Sequence, residues 1–93
     1  MNLSFKKSFL KELKRLPKPA QEQVLAALET LRQAKTLQDS GLDVDRMEGQ
    51  KKTENYYRIR VGEWRLGVEN LPPDLLVITV LHRSEIYKRF PPS

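Results

Sequence analysis

The apolar positions of this chain follow two periods in succession, first helical and then two-residue. Phe5, Phe9, Leu13 and Leu16 recur at steps of four, four and three, which is one face of a helix, with Lys7, Lys11, Lys14 and Arg15 opposite. Ser4 is placed to cap this helix, and Met1–Leu3 has room only for a short strand. Pro17-Lys18-Pro19 breaks the pattern, and a proline at a first helical position suits a second helix over 19–35. Its stripe is Ala20, Val24, Leu25, Ala27, Leu28 and Leu31. Two amphipathic helices joined by a tight turn predict a helical hairpin.

Residues 36–53 are polar and Gly-containing, with Leu37, Leu42, Val44 and Met47 scattered among them; they read as a connection with a short strand near Met47. From Tyr56 the period becomes two. Tyr57, Ile59 and Val61 alternate with Tyr56, Arg58 and Arg60; Trp64, Leu66 and Val68 alternate with Arg65, Gly67 and Glu69. Gly62-Glu63 between these runs predicts a two-residue hairpin. Asn70-Leu71-Pro72-Pro73-Asp74 is the next turn, and the apolar run Leu75–Leu81 predicts a strand covered on both faces. Ser84–Phe90 suits a short helix stopped by Pro91-Pro92. The order helix, helix, three antiparallel strands, short helix, with an optional first strand, predicts an α+β domain: a helical hairpin packed on one face of a small, mainly antiparallel sheet.

Composition narrows the chemistry. At 93 residues the chain has the length of one domain, 1–93. Its formal net charge of +5 favours acidic partners. No cysteine is present, which excludes disulfides, thiolate metal sites and thiol nucleophiles; a single histidine argues against a histidine metal cluster, and no cofactor is called for. No apolar run is long enough to span a bilayer, and no apolar segment follows Lys6, Lys7 and Lys11 as in a signal peptide, so a cytoplasmic protein without membrane partners is expected.

The hairpin sets a register: Val61 opposite Trp64, Arg60 opposite Arg65, Ile59 opposite Leu66, Arg58 opposite Gly67, Tyr57 opposite Val68. Every apolar partner falls on one face and the arginines on the other. Like charges directly opposed cost up to about 1 kcal/mol, which points to a bound anion. On the third strand Val77, Thr79 and Leu81 are expected on the arginine face, joined by Arg83 if the strand continues, while His82 points elsewhere. Gly67 is expected to leave room above the sheet for a ligand backbone. Arginine stays charged and binds phosphate bidentately, so this face suits phosphate binding and stabilisation of a phosphorane rather than proton transfer. Tyr56 shares the face and can stack a base; Tyr57 belongs to the core. Against this stands a solvated face in which Glu63, Glu69 and Glu85 serve as ion-pair partners.

Phe5-Lys6-Lys7-Ser8-Phe9 leading to Leu13 and Leu16-Pro17, then Tyr57–Leu66, then Val80-Leu81-His82-Arg83 and Tyr87, together resemble the RelE/ParE superfamily of toxin–antitoxin toxins over nearly the whole chain. The resemblance implies a RelE-like fold and, from its RelE branch, a ribosome-dependent endoribonuclease that cuts mRNA in the ribosomal A site. There the 2′-hydroxyl attacks the adjacent phosphate and leaves a 2′,3′-cyclic phosphate. Carried over, Arg58 and Arg60 match two basic strand positions, Arg65 the basic residue after the hairpin turn, and Arg83 and Tyr87 the C-terminal basic and aromatic positions. RelE toxins can carry lysine at the first two, and a lysine can act as a general base where arginine does so poorly. Arg58 and Arg60 are therefore expected to clamp phosphate, with Tyr87 stacking on the nucleotide or donating a proton; His82 and Glu85 are lesser candidates. Lys6, Lys7, Lys11 and Lys14 would contact ribosomal RNA, or form a solvated helix face.

The resemblance also implies partners: a cognate antitoxin whose amphipathic helix covers apolar surface and blocks the basic face, the ribosome and mRNA, and operator DNA only through the antitoxin complex. Two alternatives stay open. One is a ParE-like toxin that inhibits gyrase without nuclease chemistry; the other is an inactive member that binds only its antitoxin and operator.

Overall fold

The hairpin fixes the centre of the molecule. A computed structural model describes residues 1–91, so Pro92 of the expected Pro91-Pro92 helix stop lies outside the described residues. Strands β3 (Tyr56–Val61) and β4 (Trp64–Leu71) are joined by Gly62-Glu63, and Gly62 takes φ 60°. Two-residue hairpin loops need positive φ at their first position, where glycine carries no Cβ penalty. The pairing is the one the alternation predicts, from Val61 with Trp64 through Tyr57 with Val68. Strand β5 (Asp74–His82) returns antiparallel to β4 after Pro72-Pro73.

Two more strands widen the sheet to five, in the order β1-β5-β4-β3-β2. Strand β2 (Val44–Arg46) pairs antiparallel with β3; it is the short strand expected near Met47. Strand β1 (Asn2–Phe5) pairs parallel with β5. This corrects the expected cap: Ser4 lies in β1 opposite Leu76, and helix α1 (Lys7–Arg15) follows Lys6 with no side-chain cap. Phe5 shows why the sequence misleads. It keeps helical spacing to Phe9 and stacks on that ring at 5.5 Å, but does so from the end of a strand that shields the edge of β5. Where β1 stops, α1 takes over that edge. Ser8 Oγ donates to Ile78 O at 2.7 Å, and Glu12 Oε1 accepts from Thr79 Oγ1 at 2.6 Å and Val80 N at 3.2 Å.

Helix α2 (Lys18–Gln33) follows Pro17. Ala20, Val24, Ala27, Leu28 and Leu31 are buried as expected, but Leu25 is 54% exposed. One residue on from Val24 it lies about 100° around the helix, outside the stripe. The main core fills the layer between α1, α2 and the sheet, with Phe9, Val24, Leu31, Ile59, Leu66, Leu75 and Val77 fully buried.

Val77 was expected on the arginine face and lies on the other. Gly67 pairs with Thr79 but Val68 with Val77, so Ile78 is an extra residue that reverses the parity of β5 before it. Thr79 and Leu81 keep their expected side. Helix α3 (Ile86–Arg89) packs on the arginine face, not with the helical pair. Ile86 and Phe90, with Met47 and Leu81, form a second small core there, flanked by Tyr56 and Ile78. No helix among the described residues is long and apolar enough to cross a membrane.

Candidate nucleic-acid interface

Two rows of paired residues cross the strands on this face. One runs Asp43, Arg60, Arg65, Leu81; the other runs Asp45, Arg58, Gly67, Thr79. Asp43 belongs to the first row because its carbonyl accepts the Arg60 backbone N–H at 2.9 Å, extending the β2–β3 register by one bond. Short strand β2 therefore sets a carboxylate against each basic position of β3, a cross-strand charge match.

The arginines have unequal surroundings. The Arg58 side chain is only 15% exposed. Its Nη2 pairs with Asp45 Oδ2, its Nε donates to Tyr87 Oη at 2.7 Å, and its Nη1 is buried 3.9 Å from Asp43 Oδ1. The expected phosphate clamp thus has its donors turned toward a carboxylate and a phenol. Arg60 and Arg83 are open, at 58% and 59%. Arg60 reaches Asp43 only at 4.0 Å. Arg83 follows the end of β5 in a turn; its backbone N–H bonds Glu63 O, and its Nε meets Glu63 Oε2 at 2.9 Å. Of the three glutamates proposed as partners, Glu63 alone meets one of these arginines, while Glu85 pairs with Lys88.

Arg65 is the centre of the set. It is half-buried, has no carboxylate within ion-pair distance among the described residues, and turns Nη1 to the carbonyls of Gly62 at 2.8 Å and Trp64 at 2.9 Å. Burial holds its guanidinium below the usual arginine range, and the charges of Arg60, Arg58 and Arg83 add to this; Tyr87 acts in the opposite sense. The five residues singled out from the sequence thus share one electrostatic neighbourhood.

The space above Gly67 is not open to a ligand, contrary to expectation. A Cβ there would come within 2.8 Å of both Phe90 Cδ1 and Thr79 Cγ2. The glycine instead admits the Phe90 ring, which is 3% exposed and meets Tyr56 edge-on at 5.6 Å. Tyr56 is consequently half-buried against Phe90; burial raises its phenol pKa, with Glu69 and Glu54 adding to the effect. The open aromatic is Tyr87, 66% exposed. Beside it a cleft of about 670 Å³ is lined by Asp45, Met47, Glu48, Arg58, Tyr87 and Phe90, among others.

His82 lies on the opposite side from Arg65, as its parity predicts. Its ring meets Trp64 edge-on at 5.5 Å, and its Nδ1 accepts the Ser84 backbone N–H at 3.2 Å. Lys6, just before α1, and Lys7, Lys11 and Lys14 on it are exposed and make no ion pair among the described residues. Asp43, Asp45 and Phe90 were not foreseen. The alternation Asp43-Val44-Asp45 is a two-residue period that marks β2 and its acidic side; Phe90 carries no such signal.

Comparison with known proteins identifies the family. The family model for the ParE toxin of type II toxin–antitoxin systems matches residues 3–87. Toxin RelE3 of Methanocaldococcus jannaschii is 36% identical over 91 residues, covering 98% of this chain and 100% of its own. The RelB-RelE antitoxin–toxin complex from Methanococcus jannaschii contains a chain similar at TM-score 0.75 and 34% identity, over 94% of this chain and 98% of that one. The archaeal RelE-RelB complex from Pyrococcus horikoshii OT3 shares the fold at TM-score 0.71 and 22% identity, over 91% and 97%. With the family model spanning nearly all of the chain and a curated relative matched end to end, the chain belongs to the RelE/ParE superfamily of type II toxin–antitoxin toxins.

Proposed function

We propose that this toxin is a ribosome-dependent endoribonuclease that cuts translated mRNA and is held inactive by a cognate RelB-type antitoxin. One observation carries the reading: Arg65 is half-buried opposite Arg60, beside Arg58 and Arg83, with no carboxylate of its own among the described residues. Such a cluster is unfavourable until an anion enters it. Arg60, Arg65 and Arg83 then hold the scissile phosphate and stabilise the charge that grows on it as the 2′-oxygen attacks. Arg58 acts through Tyr87, and Tyr87 stands at the edge of the cluster to meet the nucleotide. The exposed lysines at the start of and along α1, Lys6, Lys7, Lys11 and Lys14, supply contacts to ribosomal RNA whose strength falls with salt. Tyr56 serves the site by supporting Phe90. Operator DNA is reached only through the antitoxin complex.

A second reading rests on the matched family model, which is that of ParE toxins. On it the basic face binds gyrase and no RNA is cut. Primer extension on translated mRNA after brief expression separates the two: discrete new 5′ ends support the nuclease, and intact transcripts with arrested DNA replication support the gyrase inhibitor.

A further inference from the structure

On the nuclease reading the arginine face supplies charge for the phosphate but leaves the proton open, because arginine donates protons poorly at neutral pH. The second row of the sheet supplies an answer. Asp45 stands directly opposite Arg58 and binds its Nη2; the same guanidinium donates Nε–H to Tyr87 Oη at 2.7 Å. The geometry fixes a direction. A guanidinium has no acceptor, so Tyr87 Oη must accept in this bond. The phenol's own hydrogen cannot be donated back to Arg58 and is left for another acceptor. Arg58 is held on more than one side: its side chain is 15% exposed, Asp45 binds one end, and Nη1 is buried near Asp43. Tyr87 itself is 66% exposed beside the cleft and close enough to Arg65 to act on its charge.

We infer that Asp45 is a positioning residue for cleavage: it holds Arg58 so that the Tyr87 hydroxyl is presented as proton donor to the departing 5′-oxygen. This rests on the nuclease reading above. In the step, the 2′-oxygen forms a bond to phosphorus and its proton passes to solvent water. The bond from phosphorus to the 5′-oxygen breaks, and the Tyr87 hydroxyl proton goes to that oxygen. The phenolate stays beside the Arg58 charge until water reprotonates it. Asp45 and Arg58 touch no reacting atom; Tyr87 does.

The test uses the full chain on ribosomes carrying an mRNA with either an ordinary phosphate or a 5′-bridging phosphorothiolate at the cleavage position. Sulfur departs without needing a proton. On the ordinary substrate Tyr87→Phe is expected to lose on the order of 100-fold in single-turnover rate, in the range for loss of a positioned general acid, and Asp45→Asn, which acts only through Arg58, a smaller factor of about 10. On the sulfur substrate both recover to near the wild-type rate, while Arg65→Ala stays slow on both. Asp45→Asn keeps the size of its side chain but removes the charge that holds Arg58, and unchanged thermal unfolding confirms the fold. The Arg58 Nε–H proton resonance, protected from exchange in the wild type and lost in Asp45→Asn, reads the chain of contacts without activity. Equal defects on the two substrates, or an Asp45→Asn protein as fast as wild type on the ordinary one, would overturn the inference. If wild-type protein cuts neither substrate, the nuclease reading itself is wrong and the proton-donor role goes with it. A wild type that cuts both with Asp45 irrelevant removes only the inference.

Discussion

Arg60 and Arg65 face each other across β3 and β4 with no carboxylate between them; Arg60 leans toward Asp43 at 4.0 Å, and Arg65 turns back to the carbonyls of Gly62 and Trp64. The two guanidiniums turn to different partners, and the positive charge between them is left without a carboxylate of its own. Opposed like charges of this kind cost stability and suit an anion.

Replacing one of the pair should therefore trade function for stability. Arg60→Thr is expected to leave the protein as stable as before or up to about 1 kcal/mol more stable. Urea unfolding measures that change. RNA cleavage by the same variant should fall by on the order of 100-fold, as when one preorganised donor to a transition-state charge is removed.

Arg65 also predicts a response to anions. Its charged form is disfavoured in the folded protein, because burial and then Arg60, Arg58 and Arg83 hold its guanidinium below the usual range. A basic group with a lowered folded pKa costs stability wherever it is charged, which is all pH below that folded value, and the cost disappears only on deprotonation in strongly alkaline solution. Between pH 6 and 9 it should be constant. Phosphate or sulfate should raise the melting temperature above that in chloride at equal ionic strength, and Arg65→Ala should reduce the increment.

Gly67 gives a purely steric prediction. A methyl group at that position meets Phe90 and Thr79 at 2.8 Å, so Gly67→Ala should displace the Phe90 ring and destabilise by about 1–3 kcal/mol. Because Phe90 anchors the end of α3, Tyr87 should shift as well, and cleavage should fall further than the loss of stability explains. Thermal unfolding and single-turnover rates on one preparation separate the two effects.

Much of this was legible in the sequence, and what was not has identifiable physical causes. The hairpin register followed from Gly62-Glu63 because the turn fixes pairing locally, and with it came the juxtaposition of Arg60 with Arg65. Ser4 and Phe5 misled because β1 is stabilised by its pairing with β5, some seventy residues away, while their spacing fits a helix. Val77 misled because a one-residue bulge at Ile78 reverses parity on a strand that carries no glycine or proline of its own; the only mark of the shift is Gly67 on the facing strand. Gly67 misled because the room it leaves, expected to admit a ligand backbone, is filled by Phe90, which lies beyond α3. Arg58 looked like a phosphate ligand because its parity is right; the acid opposite it sits on a three-residue strand inside a polar connection.

The edge of β5 gives a test of the fold alone. Glu12 accepts both the Thr79 hydroxyl and the Val80 N–H, where β1 no longer covers the strand. Glu12→Ala leaves two polar groups without this partner and should cost about 1–3 kcal/mol, measured by urea unfolding. Glu12→Gln, which keeps an acceptor oxygen, should recover most of it.

The central claim is that the arginine face stabilises the scissile phosphate. The most direct measurement is cleavage of ribosome-bound mRNA by purified wild-type protein and by the double variant Arg65→Ala with Arg83→Ala, with folding and antitoxin affinity measured on the same samples. The account predicts products ending in a 2′,3′-cyclic phosphate for the wild type, and at least about 100-fold slower cleavage by the variant, which stays folded and still binds its antitoxin. Cleavage by the double variant at the wild-type rate would contradict it.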